Sequence, residues 1–147
     1  MRRSGLALAI VLIAVLASGC ASSPEPTAPV EPVHPTTLAG TSWTVVSVNG
    51  RAPVAGFEPS VTFGAASVTG SDGCNQFGGT FHYEGSSGRL VVERTMAITE
   101  MACARRDLAS QGAFLQALVA ATDAFLEAPG RLILNGAHGP LMLVIGR

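Results

Sequence analysis

The stretch GSDGCNQFGG, Gly70–Gly79, places a cysteine between an aspartate and an asparagine in a glycine-rich loop. A cysteine in such a loop can serve as a thiolate nucleophile, as a metal ligand or as one half of a disulfide. Which of these uses applies to Cys74 depends on whether the compartment is oxidising. The N-terminus of the chain therefore bears directly on the chemistry of this loop.

The first twenty residues have the layout of a secretory signal peptide. Arg2 and Arg3 precede an uninterrupted apolar run, Leu6–Leu16, which ends in small residues. The stretch from Gly5 to Gly19 has only 15 residues, whereas a membrane span needs about 20. We therefore predict a cleaved signal peptide over residues 1–19.

The end of this segment, Leu16-Ala17-Ser18-Gly19-Cys20, resembles a bacterial lipobox, with alanine where leucine is commonest three places before the cysteine. In that pattern Cys20 becomes the first mature residue and carries three acyl chains, enough for stable anchoring. Neither Ala21 nor Ser22 is the aspartate that commonly retains lipoproteins at the inner membrane. We expect a lipid-anchored envelope protein, on the periplasmic face of the outer membrane if the host has two membranes.

A proline-rich segment separates Cys20 from the rest of the chain. Five of the 17 residues from Ala21 to Thr37 are proline, and the apolar residues there follow no period. Such a composition favours an extended linker, so we assign residues 20–37 to the lipidated cysteine and its linker and give His34 no role.

The charge of the mature chain argues against a nucleic-acid partner. The whole chain has 9 basic and 10 acidic residues, and removal of Arg2 and Arg3 with the signal peptide leaves 7 against 10, a formal charge of −3. Nucleic-acid-binding domains carry a basic patch, which this composition does not supply.

Residues 38–147 are predicted to form one α+β domain, a curled, mostly antiparallel β-sheet packed on one α-helix. A stripe of apolar residues at helical spacing predicts the helix from Asp107, a candidate N-cap, to about Glu127, before Pro129-Gly130. Alternating patterns predict strands at 42–48, 60–63, 67–70, 80–85, 89–94, 131–136 and 141–146. The predicted core comprises Trp43, Phe63, Leu90, Val92, Leu115, Leu118, Leu132, Leu134, Leu141 and Leu143.

With Cys20 lipidated, Cys74 and Cys103 are the two cysteines left in an oxidising compartment. A disulfide between them is the favoured hypothesis, and a pair of buried, unpaired thiols remains the main alternative. A nucleophilic Cys74 needs a base, and the nearby His82 lies in a strand pattern typical of a surface histidine. A metal site is also disfavoured, because the cysteines and histidines lack the usual ligand spacing.

Several segments together resemble the META domain, the HslJ-like family. They are LAGTSWTVVSVNG (Leu38–Gly50), VTGSDGCNQFGGTFHYEG (Val68–Gly85) and LVVERTMAITEMAC (Leu90–Cys103). The family motif falls on Gly73, Cys74, Asn75, Thr99, Met101, Ala102 and Cys103. Gln111 departs from the glutamate that members often carry ahead of the aromatic residue of the helix.

The resemblance implies a compact domain with no established catalytic centre, in a family linked to the envelope and to heat-shock or other stress. We therefore expect a non-enzymatic lipoprotein that binds an unidentified envelope protein or ligand, or supports the envelope, without cofactor or metal. The alternative is a periplasmic inhibitor of a lysozyme or protease, with the loop Arg51–Glu58 as its inhibitory element. A thiol enzyme using Cys74 is a third hypothesis. Asn75 is expected to bond its local backbone, and Trp43 to be core.

Overall fold

The computed structural model describes residues 32–103 and 108–146. The signal peptide predicted at 1–19, the lipidation site Cys20, most of the linker and the N-cap predicted at Asp107 lie outside the described residues. The described elements are β1 Thr41–Val48, β2 Ser60–Phe63, β3 Ser67–Ser71, β4 Gln76–Glu84, β5 Arg89–Val92, β6 Ala97–Ile98, α1 Leu108–Val119, β7 Ala121–Ala128, β8 Arg131–Gly136 and β9 Leu141–Ile145.

The strands form one antiparallel sheet that closes on itself. Its order is β3-β2-β1-β9-β8-β7-β5-β4, and β4 also pairs with β3, with Ser67 opposite Thr80 and Ser71 opposite Gln76. The short β6 pairs with the first part of β4. The predicted antiparallel sheet with one helix is confirmed, but the sheet is an eight-stranded barrel where we expected only a curl. Closure removes the free edges that a curled sheet would leave.

The interior of the barrel is filled by the alternate residues of its strands, as the period-2 pattern predicts. Every residue of the predicted core is buried except Leu115, which is half-buried and packs against that core. The rings of Phe63 and Phe81 meet edge to face with their centroids 4.9 Å apart. A single apolar cluster therefore connects the strands on all sides.

The helix predicted to reach Glu127 is shorter, and this part of the prediction is wrong. Helix α1 ends at Val119, and the following residues form β7, which pairs with β8 along most of its length. Closing the barrel requires a strand between β5 and β8, and that pairing overrides the helical spacing of Phe125 and Leu126. Pro129-Gly130 is the turn of the β7–β8 hairpin, with Gly130 at a φ of 74°.

Helix α1 covers one part of the barrel interior. It contacts β1, β5, β8 and β9, and it buries Phe114, Ala117 and Leu118 completely or almost completely in the common core. Phe114 lies against Phe77 at the start of β4, with 5.8 Å between ring centroids. In the part of the chain that the structure describes, no helix is long and apolar enough to cross a membrane.

Residues 33–36, which we assigned to the linker, contact the barrel and are called the strap below. Val33 pairs with Leu126 of β7, whose N–H donates to the Val33 carbonyl at 2.7 Å. The hydroxyl of Tyr83 donates to the carbonyl of Pro35 at 2.7 Å. The ladder between β5 and β7 consists of one residue pair, Arg89 and Asp123. The strap therefore lies beside the strand pairing with the fewest residue pairs in the barrel, which we call the seam.

Candidate functional site

The disulfide predicted between Cys74 and Cys103 is present in the structure. Cys74 lies in the turn between β3 and β4, and Cys103 follows β6. Their Cα atoms are 6.1 Å apart, within the range that a disulfide spans. Cys74 is buried. With its sulfur bonded to Cys103, Cys74 has no thiolate to offer as a nucleophile.

Asp72 builds the turn that carries Cys74. Its Oδ1 accepts the backbone N–H groups of Cys74 at 2.9 Å and Asn75 at 2.6 Å, and its Oδ2 accepts the Asn75 amide at 3.2 Å. The side chain is 4% exposed. A buried carboxylate is tolerated where such donors replace its water. Asp72 had no predicted role, although an Asp-Gly pair is itself a turn signal.

Asn75 connects this turn to the second half of the family motif. Its Oδ1 accepts the backbone N–H of Met101 at 2.7 Å, so the expected bond to its own local backbone is wrong; Asp72 makes that turn instead. Next to it, the N–H of Gln76 donates to Thr99 Oγ1 and the N–H of Thr99 donates to the Gln76 carbonyl, each at 2.9 Å. These bonds attach the segment after β6 to the barrel.

The motif residues therefore come together, and their contacts are structural. Gly73 has a φ of 96°, and a Cβ there would overlap the carbonyl oxygen of Phe57, so both its conformation and its surroundings require glycine. Ala102 is exposed between Met101 and Cys103. We name this set of contacts, between residues 72–76 and 99–103, the motif junction.

The other candidate functional residues, His82 and Trp43, do not belong to a reactive cluster within the described residues. His82 is exposed on β4, as its strand pattern predicted. Trp43 is buried, as predicted, and its Nε1 donates to Thr41 Oγ1 at 2.7 Å. Within residues 32–103 and 108–146, no three histidine, cysteine, aspartate or glutamate side chains are grouped as metal ligands.

A cavity of about 390 Å³ lies between α1, the connection from β1 to β2 and the motif junction. We call it the α1 cavity. Its apolar lining comes mostly from the end of β1 and that connection, and it includes Val48, Pro53, Val54, Phe57 and Pro59. Its polar lining includes Arg51, Asp72 and Gln111. Asp72 thus belongs both to the motif junction and to the cavity wall.

The loop Arg51–Glu58 forms one wall of the α1 cavity and has its own internal bonds. The N–H of Phe57 donates to the Val54 carbonyl at 2.9 Å, and the N–H of Gly56 donates to Glu58 Oε1 at 3.0 Å. These backbone donors, first that of Gly56, lower the pKa of the Glu58 carboxyl from its usual value. The wall is therefore an ordered turn, although most of its residues are exposed.

The α1 cavity was not predicted from the sequence. The available signal was the proline-rich connection from Asn49 to Pro59, which is much longer than the Asn49-Gly50 turn requires. Both turn residues do have positive φ, and Val48 pairs with Arg51 across them, so the predicted tight turn exists. The residues after it build the cavity wall instead of a strand.

The fold and the motif junction define a class of protein: a small, disulfide-bridged antiparallel barrel with one helix. Residues 36–147 match the META domain, and the chain belongs to the META domain family. This confirms the family suggested by the motifs.

Two solved structures are similar to this chain. One is the NMR structure of a protein from Burkholderia xenovorans, with 24% identity, a TM-score of 0.61 and coverage of 84% of this chain and 97% of that chain. The other, also an NMR structure, has 25% identity, a TM-score of 0.58 and coverage of 74% and 91%. No curated protein matches the chain significantly.

Proposed function

We propose that this META-domain protein is a non-enzymatic lipoprotein of the cell envelope that acts by binding or by structural support under envelope or heat stress. The observation that carries the non-enzymatic part is the disulfide, because it takes up the cysteine that would have been the nucleophile. The polar residues of the family motif are likewise engaged in the motif junction. The stress role rests on the family resemblance.

The envelope location rests on the N-terminal sequence, with a signal peptide at 1–19 and lipidation at Cys20. In a host with two membranes we propose the periplasmic face of the outer membrane. The partner is an envelope protein or ligand and not a nucleic acid, because the mature chain is acidic.

Fractionation of cells that express a Cys20→Ser variant tests the anchor. The wild-type protein should sediment with membranes and be released by detergent, whereas Cys20→Ser should be soluble or remain unprocessed. Cys74→Ser is the matched control, because it removes a cysteine outside the lipobox and should stay with the membranes. A mature-sized Cys20→Ser protein in the membrane fraction would show that the lipid-anchor proposal is wrong.

A periplasmic hydrolase inhibitor is the second candidate function, and the loop Arg51–Glu58 is the observation that favours it. The loop is exposed yet ordered by its own hydrogen bonds, and Val54 on it is 43% exposed. Inhibitory loops gain affinity when they are held in their bound conformation. Incubation with a panel of envelope lysozymes and proteases should then show inhibition that Val54→Asp abolishes and Val91→Asp, on the outside of β5, leaves intact.

A further inference from the structure

The walls of the α1 cavity suit the apolar body of a small ligand. Val48 and Pro59 are buried beside it, and Phe57 and Pro53 are half-buried. Its volume of about 390 Å³ falls in the range of ligand sites, roughly 300–1,000 Å³.

Gln111 gives this cavity a polar group that can bind a ligand. The side chain lies on α1 at the cavity and is 8% exposed. No side-chain nitrogen or oxygen of the described residues is both buried and without a partner, so the carboxamide is not a buried, unpaired group. A carboxamide offers two N–H donors and a carbonyl acceptor. A ligand oxygen in the cavity would accept hydrogen bonds from the amide N–H groups.

The accessible charge at the cavity is positive. Arg51 is exposed on the loop wall and forms no salt bridge within the described residues. Asp72, in contrast, is almost fully buried, and its two oxygens already accept three N–H groups. A guanidinium is well suited to a carboxylate, which it can bind through two parallel hydrogen bonds. The available charge therefore favours an anionic group on the ligand.

We propose that the α1 cavity binds a small organic carboxylate with an apolar body, such as a medium-chain fatty acid. The apolar chain lies against the loop wall, and the carboxylate accepts hydrogen bonds from Arg51 and Gln111. This inference deepens the binding role of the proposed function and rests on it, because the cavity would supply the ligand-binding activity of the tethered protein.

The test uses the mature polypeptide, residues 20–147, with Cys20→Ser so that no lipid is attached. Octanoate, 1-octanol and octyltrimethylammonium have the same chain length and differ in charge. Each is titrated, below its micelle concentration, into the ¹⁵N-labelled protein while backbone amide shifts are recorded. Octanoate should give saturable shifts centred on residues 51–58 and 109–113, and it should bind more tightly than the other two.

Three variants assign the contacts. Arg51→Gln should weaken octanoate binding about two- to fivefold, as expected for an exposed ion pair, and leave octanol binding unchanged. Gln111→Leu should weaken octanoate about two- to tenfold through the lost hydrogen bond. Arg89→Gln is the matched control, because Arg89 is exposed on β5 and does not line the cavity, and it should bind octanoate like the wild type.

Absence of saturation, shifts centred elsewhere on the barrel, or tighter binding of the ammonium compound would each overturn the inference. The last result would make Asp72 the anchor of a cationic ligand. Because this protein carries no lipid, such a failure leaves the Cys20 fractionation result unaffected. A failed fractionation in turn leaves the measured ligand affinity valid.

Discussion

Three residues of the turn before β4 have different structural roles: Asp72, Gly73 and Asn75. Asp72 accepts the backbone N–H groups of the turn, Gly73 provides its positive φ, and Asn75 reaches across to the backbone of Met101. Each role depends on a different property: acceptor geometry, the missing Cβ, and an amide that can bond at a distance. The same three residue types would also suit a ligand loop, and only their contacts identify them as structural.

Gly73→Ala should destabilise the protein by about 1–3 kcal/mol, because alanine is strained at a φ of 96° and its Cβ would overlap the Phe57 carbonyl. Urea unfolding followed by the fluorescence of Trp43, the single tryptophan of the chain, measures this. Gly112→Ala is the control. Gly112 lies within α1 with open space around its Cα, so alanine should stabilise by about 0.5–1 kcal/mol. Equal effects of the two substitutions would contradict this assignment.

At the scale of elements, the disulfide and the hydrogen bonds of the motif junction compensate for a short strand. β6 has two residues and pairs only with the start of β4. A strand of that length contributes little by itself. Thr99, Met101 and Cys103, which follow it, are each bonded to the turn before β4. The disulfide therefore explains why cysteine occupies position 74 without a catalytic role for its thiol.

Alkylation of the mature, unreduced protein checks this bridge. Neither Cys74 nor Cys103 should react until a reductant is added, and the mass should then rise by two labels. The Cys74→Ser/Cys103→Ser variant should lose about 3.5 kcal/mol in the chain-entropy account of a loop of about 30 residues. Rapid labelling of Cys74 alone, without reductant, would contradict the bridge and favour the thiol-enzyme hypothesis.

A comparison of the hairpins with strand β7 shows how far sequence patterns predict the fold. The hairpins β2–β3, β4–β5 and β8–β9 were predictable, because each alternates around a short turn. Strand β7 was not, because residues 121–128 also fit a helical stripe and only pairing with β8 decides between the two. The α1 cavity was equally hidden, since it depends on how a loop, a turn and a helix meet in space.

At the scale of the whole molecule, the barrel is closed by pairings of unequal length. The seam between β5 and β7 has the pair Arg89 and Asp123, and the strap supplements it at Leu126 and Ala124. Gly88 is buried under His34 of the strap, which leaves no room for a larger residue there. The domain as a packed unit therefore starts before Leu38, in a segment whose proline content predicted only a linker.

Tyr83, the single tyrosine, reports on the strap. Burial, and secondarily the charge of Asp123, raises its pKa to about 12, against about 10 in the unfolded chain. A raised pKa means that the neutral hydroxyl, which donates to Pro35, stabilises the fold below pH 10. That contribution should be lost as the pH rises from about 10 to about 12.

Ultraviolet absorbance of the tyrosinate measures this pKa without interference from another tyrosine. Asp123→Asn should lower the pKa toward its usual value, and urea-unfolded protein should titrate near 10. Tyr83→Phe, which removes the titrating group, gives the baseline. A folded-state pKa near 10 would indicate that the hydroxyl is exposed to water and that the strap does not cover it.

The disulfide also affects what a single proteolytic cut does to the chain. Cys74 and Cys103 enclose β4, β5 and β6 in a covalent ring. An exposed part of that ring is the connection between β5 and β6, where Glu93, Arg94 and Thr95 face solvent. A single cut there would leave the two fragments joined through sulfur, with β4 still paired to β3 and β5 still beside the strap. In an oxidising compartment, the nicked molecule would remain one covalent piece.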